Sequence, residues 1–234
     1  MKTIGLIGGL SWKATLYYYD YLNELGNRHL GKSHSPHIVV DSLDFERVAQ
    51  FLRDGDDNAL VDYLGHSVQR LLAAGADAVT ICCNSAHKVA TRLAECTGCA
   101  LIDIRHEVVA DLQSRGICEV LLLGTLFTME ERFYQDVLEA AGIRCRTPDA
   151  ADRAYINEVI MKQLSVGIVS EESRERFVAI GRKACDSGAQ AVLLACTELP
   201  LLVGAEHFDV PVVDASLVHA RAAFKHAARA GAAK

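Results

Sequence analysis

The chain lacks the features that mark nucleic-acid-binding and membrane proteins. It has no block of basic residues, only one tryptophan in 234 residues, and a formal net charge of −6. A nucleic-acid surface requires a stripe of positive charge, so this class of function is not expected. No stretch approaches the roughly 18 uncharged apolar residues of a membrane-spanning helix. The first residues also lack the layout of a signal peptide. The sequence therefore predicts a cytoplasmic protein that binds neither nucleic acid nor membrane.

The eight cysteines show no disulfide framework and no metal-binding pattern. Disulfides are rare in cytoplasmic chains of this size. Cys96 and Cys99 form a CxxC pair, but no second pair or histidine pair stands at a zinc-binding distance in the sequence. The pair closes a predicted helix, whereas a redox CxxC opens one. We therefore expect no metal and interpret these two thiols, with Cys118, Cys145 and Cys185, as packing residues.

The sequence contains an internal duplication that ends each time on a cysteine. GADAVTICC, which ends at Cys83, matches GAQAVLLAC, which ends at Cys196, without a gap. The match extends upstream to two apolar runs ending in Gly8 and Gly124, 75 and 72 residues before the respective cysteines. A duplication of this length predicts two domains of about 100 residues each. We place them at residues 1–104 together with 211–234, and at residues 105–210.

Short apolar runs alternate with helical stretches, which is typical of βα units on parallel sheets. Strands are predicted at 3–7, 37–41, 78–82, 100–102, 120–123, 191–195 and 211–213. Helices are predicted at 12–27, 57–74 and 170–186, and a last helix begins near residue 216. In a duplicated fold, this last helix is expected to cross back and complete the first domain.

Cys83 and Cys196 each follow a buried strand, and small polar residues open a helix after each of them. Ligands of parallel sheets bind outside the carboxyl ends of the strands. Helix N-termini there offer free N–H groups and favour a thiolate. Cys82 aligns with Ala195 and alternation places it on the opposite side of the strand, so we interpret it as a packing residue.

Two thiols on opposite sides of a cleft are suited to inversion at a carbon stereocentre without a cofactor. A thiolate removes the proton from one face, and a thiol returns a proton to the other face. Because one group must be charged and the other neutral, the rate is expected to be bell-shaped in pH. The anionic transition state requires preorganised hydrogen-bond donors. Strand-end loops offer such donors at Asn84, Ser85, Thr125, Thr128 and Thr197.

Four segments resemble the aspartate/glutamate racemase family, and most closely its broad amino-acid racemase branch. They are IGGLSW at 7–12, CNSAH at 83–87, GTLFTME at 124–130 and CTE at 196–198. Their order and spacing fit the family over nearly the whole chain. The resemblance implies an α/β protein of two pseudo-symmetric flavodoxin-like domains, each a mostly parallel sheet flanked by helices, with the active site in the cleft between them. It also implies racemisation without metal or pyridoxal phosphate, and a homodimer.

Carried over by position, the resemblance makes Cys83 and Cys196 the acid/base pair. It also assigns residues to the substrate. The α-carboxylate and amino group are expected at Asn84, Ser85, Thr125 and Thr197, and the first motif adds Leu10 and Ser11. Family habit favours aspartate or glutamate as the substrate.

The side-chain pocket departs from the family pattern. Leu10 and Leu52 stand where relatives often carry methionine and glutamine, which favours a less polar side chain. Arg47, Arg53 and Lys162 are candidate anchors for a distal carboxylate, and the sequence leaves the choice among them open.

Two further residues have alternative interpretations. His87 either tunes the thiolate or touches the substrate, or it is a buried histidine of its helix. Glu198 either orders the second thiol or caps its helix. Two other functions also remain open: a cis–trans isomerase or decarboxylase of a small diacid, and a non-catalytic sensor that binds an amino acid.

Overall fold

The computed structural model describes residues 1–31 and 33–229, and the strands form two parallel sheets of four strands each. The chain divides into unit 1, formed by Met1–Ile104 and the segment from His219 onward, and unit 2, formed by Arg105–Val218. The predicted α/β class and the two parallel sheets are confirmed. Within the described residues, none of the helices has the length and apolar character needed to cross a bilayer.

Unit 1 is built on the first sheet. In chain order its elements are β1 (Ile4–Gly8), α1 (Trp12–Leu30), β2 (Ile38–Ser42), α2 (Phe45–Asp54), α3 (Asp57–Ala73), β3 (Ala78–Ile81), a 3-10 helix (Ser85–Val89), α4 (Ala90–Thr97) and β4 (Leu101–Ile102). The strands are parallel and lie in the order β2-β1-β3-β4. The central strands β1 and β3 are buried along their whole length, as expected for a parallel sheet covered on both faces.

Unit 2 repeats the same strand order. Its elements are α5 (Ile104–Ser114), β5 (Glu119–Leu123), α6 (Leu126–Glu130), α7 (Arg132–Ala140), β6 (Arg144–Arg146), α8 (Ala150–Lys162), α9 (Glu171–Asp186), β7 (Ala191–Leu194) and β8 (Val212–Asp214), with short 3-10 helices at Leu164–Val166, Leu199–Leu201 and Ala205–His207. The last helix, α10 (Ala215–Arg229), begins in unit 2 and continues into unit 1. The strand order is β6-β5-β7-β8. The duplication read from the sequence therefore corresponds to one topology used twice.

The predicted division of the chain changes at residues 211–218. β8 is hydrogen-bonded to β7 of the second sheet, so this segment belongs to unit 2 and not to the first domain. The chain returns to unit 1 only at His219, inside α10. The last five residues of the predicted range 211–234 lie outside the described residues.

The first sheet packs a different cluster on each face. Ile4 and Leu6 contact residues of α1 and α10, whereas Ile7 contacts residues of α2, α3 and α4. This alternation along β1 follows from the two-residue repeat of a strand. In unit 2, Leu121 and Leu123 pack against α8 and α9. The carboxyl edge of each sheet carries loops that contain candidate site residues.

Candidate active site

The turn between β1 and α1 positions Leu10 and Ser11 at the carboxyl edge of the first sheet. Gly9 adopts a left-handed backbone with φ of 80°, and a Cβ there would lie 2.1 Å from the carbonyl oxygen of Leu43. Only glycine fits this close approach. Ser11 caps α1 by accepting a hydrogen bond from the N–H of Ala14, and Leu10 is buried in the core.

The loop after β3 carries the first candidate thiol. Cys82 is fully buried in the cluster that includes α1 and α10, and Cys83 packs on the opposite cluster, so the predicted packing role of Cys82 is confirmed. Cys83 is half-buried. Asn84 is only 5% exposed, and among the described residues its Oδ1 atom has no hydrogen-bond partner. A buried, unsatisfied amide oxygen is suited to accept from a ligand donor.

His87 is buried and its ring is bonded back to the same loop. Its Nδ1 atom lies 2.8 Å from the carbonyl oxygen of Cys83. The carbonyl can only accept, so the ring donates from Nδ1. The main chain of His87 donates to Asn84 in the 3-10 pattern, and half-buried Ser85 lies between them. The predicted residues of this motif are thus assembled around one turn.

The loop after β5 places two threonines at the carboxyl edge of the second sheet. Thr125 caps α6, and its hydroxyl lies 3.1 Å from the hydroxyl of Thr128. Thr128 is fully buried, whereas Thr125 is half-buried. The carbonyl of Ala195 lies close to Gly124, so the loops after β5 and β7 adjoin.

The second candidate thiol follows β7. Cys196 is 8% exposed, and its Sγ donates to Oε2 of Glu198 at 3.1 Å. The hydroxyl of Thr197 donates to the same oxygen at 2.8 Å. One buried carboxylate oxygen therefore organises both neighbours. Of the two interpretations of Glu198, the contacts favour the one in which it orders the second thiol.

Cys83 and Cys196 occupy equivalent places in the two units. Each follows the third strand in the spatial order of its sheet, β3 or β7. Two other thiols, buried Cys82 and half-buried Cys145, are held protonated. Burial raises the pKa of Cys82 and raises the pKa of Cys145 to about 12. Acid/base work near neutral pH is therefore not suited to those two thiols.

The candidate anchors for a distal carboxylate are on the helices α2 and α8. Arg47 is exposed on α2 and its guanidinium stacks on the ring of Tyr63 at 5.0 Å. Arg53 pairs with Glu46, and Lys162 pairs with Glu158 at the end of α8. Leu52, near the end of α2, is half-buried against the core.

Two residues near the first thiol carry no signal in the sequence. His219 on α10 is fully buried, and its ring lies 5.1 Å, centroid to centroid, from that of His87. The hydroxyl of Tyr18 on α1 is hydrogen-bonded to the ring of His219. Neither belongs to a motif, and each is far from Cys83 in the chain. Across the described ranges, no group of three His, Cys, Asp or Glu side chains is placed to hold a metal ion.

Comparison with known proteins agrees with this architecture. A family model for Asp/Glu/hydantoin racemases matches residues 7–223. A provisionally assigned Asp/Glu racemase from Yersinia pestis, known from its crystal structure, is 38% identical and covers 97% of this chain and 100% of its own, with a TM-score of 0.92. An aspartate racemase homologue from Pyrococcus horikoshii OT3 is 29% identical, with coverage of 97% and 100% and a TM-score of 0.85.

A curated relative is also an amino-acid racemase. RacX of Bacillus subtilis (strain 168), a broad-specificity amino-acid racemase, is 22% identical over 221 residues, which are 91% of this chain and 92% of RacX. The resemblance read from the four motifs is confirmed by these matches. The chain belongs to the Asp/Glu/hydantoin racemase family and is an isomerase of the racemase class.

Proposed function

We propose that this protein inverts the α-carbon of an amino acid by two-base proton transfer between Cys83 and Cys196, without a cofactor. The observation that carries the proposal is the equivalent placement of the two thiols after β3 and β7 of a duplicated fold. Inversion requires one acid/base group on each face of the α-carbon. A pair of thiols related by the duplication supplies two groups of the same chemistry, which a reversible reaction between mirror-image substrates requires.

The hydrogen bond from Cys196 to Glu198 supports different starting states for the two thiols. In this geometry the proton lies on the sulfur of Cys196, because a thiolate there would stand 3.1 Å from a carboxylate oxygen. Cys196 then acts as the acid of the resting enzyme, and Cys83 acts as the base. After one turnover the two thiols have exchanged protonation states. The enzyme is then ready for the opposite enantiomer.

The polar groups of the strand-end loops are proposed to hold the reacting end of the substrate. Ser85, Thr125, Thr128 and Thr197 offer hydroxyl donors for the α-carboxylate, on which charge accumulates when the proton leaves. The unsatisfied Oδ1 of Asn84 is suited to accept from the amino group. Fixed donors of this kind stabilise the dianionic transition state without reorganisation at the moment of reaction. Leu10 and Ser11 complete the pocket from the turn after β1.

We propose aspartate or glutamate as the substrate. The Yersinia relative is assigned as an Asp/Glu racemase, and the Pyrococcus relative is an aspartate racemase homologue. Arg53 and Lys162 are already paired with glutamates, so Arg47 is the favoured anchor for the distal carboxylate. A buried Leu10 and a half-buried Leu52 favour a less polar side chain, and broad specificity is the competing outcome.

We further propose that the protein works in the cytoplasm as a homodimer. Three large apolar side chains, Trp12, Leu16 and Tyr19, are exposed on α1 at helical spacing. An exposed apolar stripe of this kind is typical of a subunit contact. Light scattering of the purified protein tests this part independently of the chemistry: a mass of one chain contradicts it.

Proton NMR of a mixed pool of L-amino acids in deuterated buffer tests the proposed reaction. The expected result is loss of the α-proton signal of aspartate or glutamate, followed by detection of the D-enantiomer on a chiral column. If an alkene diacid changes instead and amino acids stay unlabelled, the diacid isomerase is correct. Binding of an amino acid without exchange supports the sensor.

A further inference from the structure

A buried set of three polar rings lies behind the loop that carries Cys83. It consists of Tyr18 on α1, His219 on α10 and His87 in the 3-10 helix after β3, and we call it the ring cluster. All three side chains are 1% exposed or less. The rings of Tyr18 and His219 meet edge to face, with centroids 5.7 Å apart, and those of His219 and His87 are 5.1 Å apart.

Both ring nitrogens of His219 are engaged. Nε2 lies 2.7 Å from the carbonyl oxygen of Ile102, which can only accept, so the ring donates from Nε2. Nδ1 lies 2.9 Å from the hydroxyl of Tyr18, and in a neutral ring it accepts that proton. Burial, together with the neighbouring His87, lowers the pKa of His219 to about 3. The ring is therefore neutral near pH 7 and has one tautomer and one orientation.

His87 carries this orientation to the candidate site. The ring of His87 packs against the fixed ring of His219. The Nδ1–H of His87 donates to the carbonyl oxygen of Cys83 at 2.8 Å. The main chain of the loop follows a 3-10 path, in which the N–H of His87 bonds to Asn84. An α-helical path would bring that N–H to the carbonyl of Cys83, so the imidazole takes the place of the main-chain donor.

We propose that His219 is a positioning residue for Cys83, acting with Tyr18 through the ring of His87. The inference rests on the proposed acid/base role of Cys83. A side chain with a purely structural role at this place needs only apolar bulk, because Tyr18, Ile102 and Ala220, which are bonded or adjacent to His219, belong to one apolar cluster. The two hydrogen bonds of the buried His219 ring fix its orientation, whereas apolar packing alone would only fill the space. Thiol geometry at the α-carbon depends on such angles, and a small misplacement lowers the rate strongly.

The test uses variants that separate the hydrogen bonds from the packing. Tyr18→Phe removes only the hydroxyl that orients His219. His219→Gln retains a donor near the Nε2 position, and His219→Leu retains neither bond. His87→Asn retains a donor near the Nδ1 position, whereas His87→Leu does not. Tyr155→Phe in unit 2 is the matched control, since its hydroxyl bonds to Ser173 of the same unit.

Two readouts are required. The first is kcat and KM for racemisation. The second is the pH dependence of iodoacetamide alkylation at Cys83 and Cys196, mapped by mass spectrometry in the same molecule. We expect Tyr18→Phe, His219→Leu and His87→Leu to lower kcat about tenfold with little change in KM. We also expect them to shift the alkylation profile of Cys83 alone, and we expect His87→Asn to restore most of the activity.

A wild-type kcat and an unchanged Cys83 profile in Tyr18→Phe and His219→Leu would overturn the inference. Equal changes at both cysteines would also overturn it, because they indicate general loosening of the fold. If His219→Leu does not fold, Tyr18→Phe still decides the question. The alkylation readout does not depend on turnover, so failure of the proposed racemisation is recognised separately from failure of the positioning role.

Discussion

The thiol of Cys196 donates to the Oε2 atom of Glu198 across 3.1 Å, and both side chains are buried. The same oxygen also accepts from the hydroxyl of Thr197. A carboxylate that already accepts two donors is held in one orientation. The sulfur proton is therefore directed at this oxygen, which supports the proposed role of Cys196 as the proton donor of the resting enzyme.

Glu198→Gln is predicted to lower kcat by about tenfold to a hundredfold, because the variant no longer holds the proton on Cys196. Removing the negative charge favours the ionised sulfur, so alkylation of Cys196 by iodoacetamide at pH 7 is expected to become faster. Glu206→Gln, which changes an exposed glutamate, is the control. A slower or unchanged reaction at Cys196 would contradict the assigned role of Glu198.

The neutral state of His219 predicts a dependence of stability on pH. Its pKa is about 3 in the folded protein and about 6.5 in the unfolded chain, so between these values the unfolded state binds the extra proton. Its contribution is fully present above pH 6.5 and is lost as the pH falls toward 3. The free energy of unfolding should fall by about 1.4 kcal/mol per pH unit in this window from this group alone.

Urea denaturation at pH 7 and pH 5 measures this effect. His219→Gln should lose less stability between the two pH values than the wild type, by about 2 kcal/mol. His226→Gln, at an exposed position of the same helix, should behave as the wild type does. Parallel curves for the wild type and His219→Gln would show that His219 is not neutralised by burial.

The turn that holds Leu10 predicts a specific sensitivity to substitution. Gly9→Ala combines a positive φ with a clash of its Cβ on the main chain of Leu43, so we expect a loss of more than about 3 kcal/mol of stability. Gly55→Ala has a similar φ but no atom within 4 Å, so it should lose only about 1–2 kcal/mol. Guanidinium unfolding of both variants compares them directly, and equal losses would show that the close approach is unimportant.

Arg47 is predicted to recognise the distal carboxylate. Arg47→Met should raise KM for aspartate or glutamate about tenfold to a hundredfold with a smaller effect on kcat, since a charge-assisted hydrogen bond is lost. Arg53→Met on the same helix is the matched control, because Arg53 is already paired with Glu46. If KM is unchanged and a neutral amino acid is the better substrate, Leu10 and Leu52 describe the pocket better than Arg47 does.

The fold was largely predictable because buried parallel strands leave apolar runs in the sequence. β6 was missed for the opposite reason. It is a three-residue edge strand with two arginines, Arg144 and Arg146, which pair with Glu119 of β5. Edge strands are often charged, so they have no apolar signal. The boundary near residue 211 was wrong because strand pairing, which decides it, is not visible in the sequence.

Part of the candidate site could be predicted from the sequence, and part could not. Cys83 and Cys196 could be proposed from the sequence because the duplication aligned them, and the residues that follow them share their motifs. His219 was not found, because it stands 132 residues after His87 in a helix of ordinary composition. Only the packing of α10 on the first sheet brings it behind Cys83. Contacts between distant segments carry this kind of information, and a single sequence does not record them.

The most direct test of the two-thiol mechanism is α-proton exchange by Cys83→Ala and Cys196→Ala in deuterated buffer, measured separately on each enantiomer of the substrate. Each variant keeps the base for only one face of the α-carbon. We predict that neither racemises, and that any deuterium incorporation is confined to one enantiomer, opposite in the two variants. Cys118 is exposed, so its interpretation as a packing residue was wrong, and Cys118→Ala should retain full activity. Racemisation by either single variant at more than a few per cent of the wild-type rate would contradict the two-base assignment.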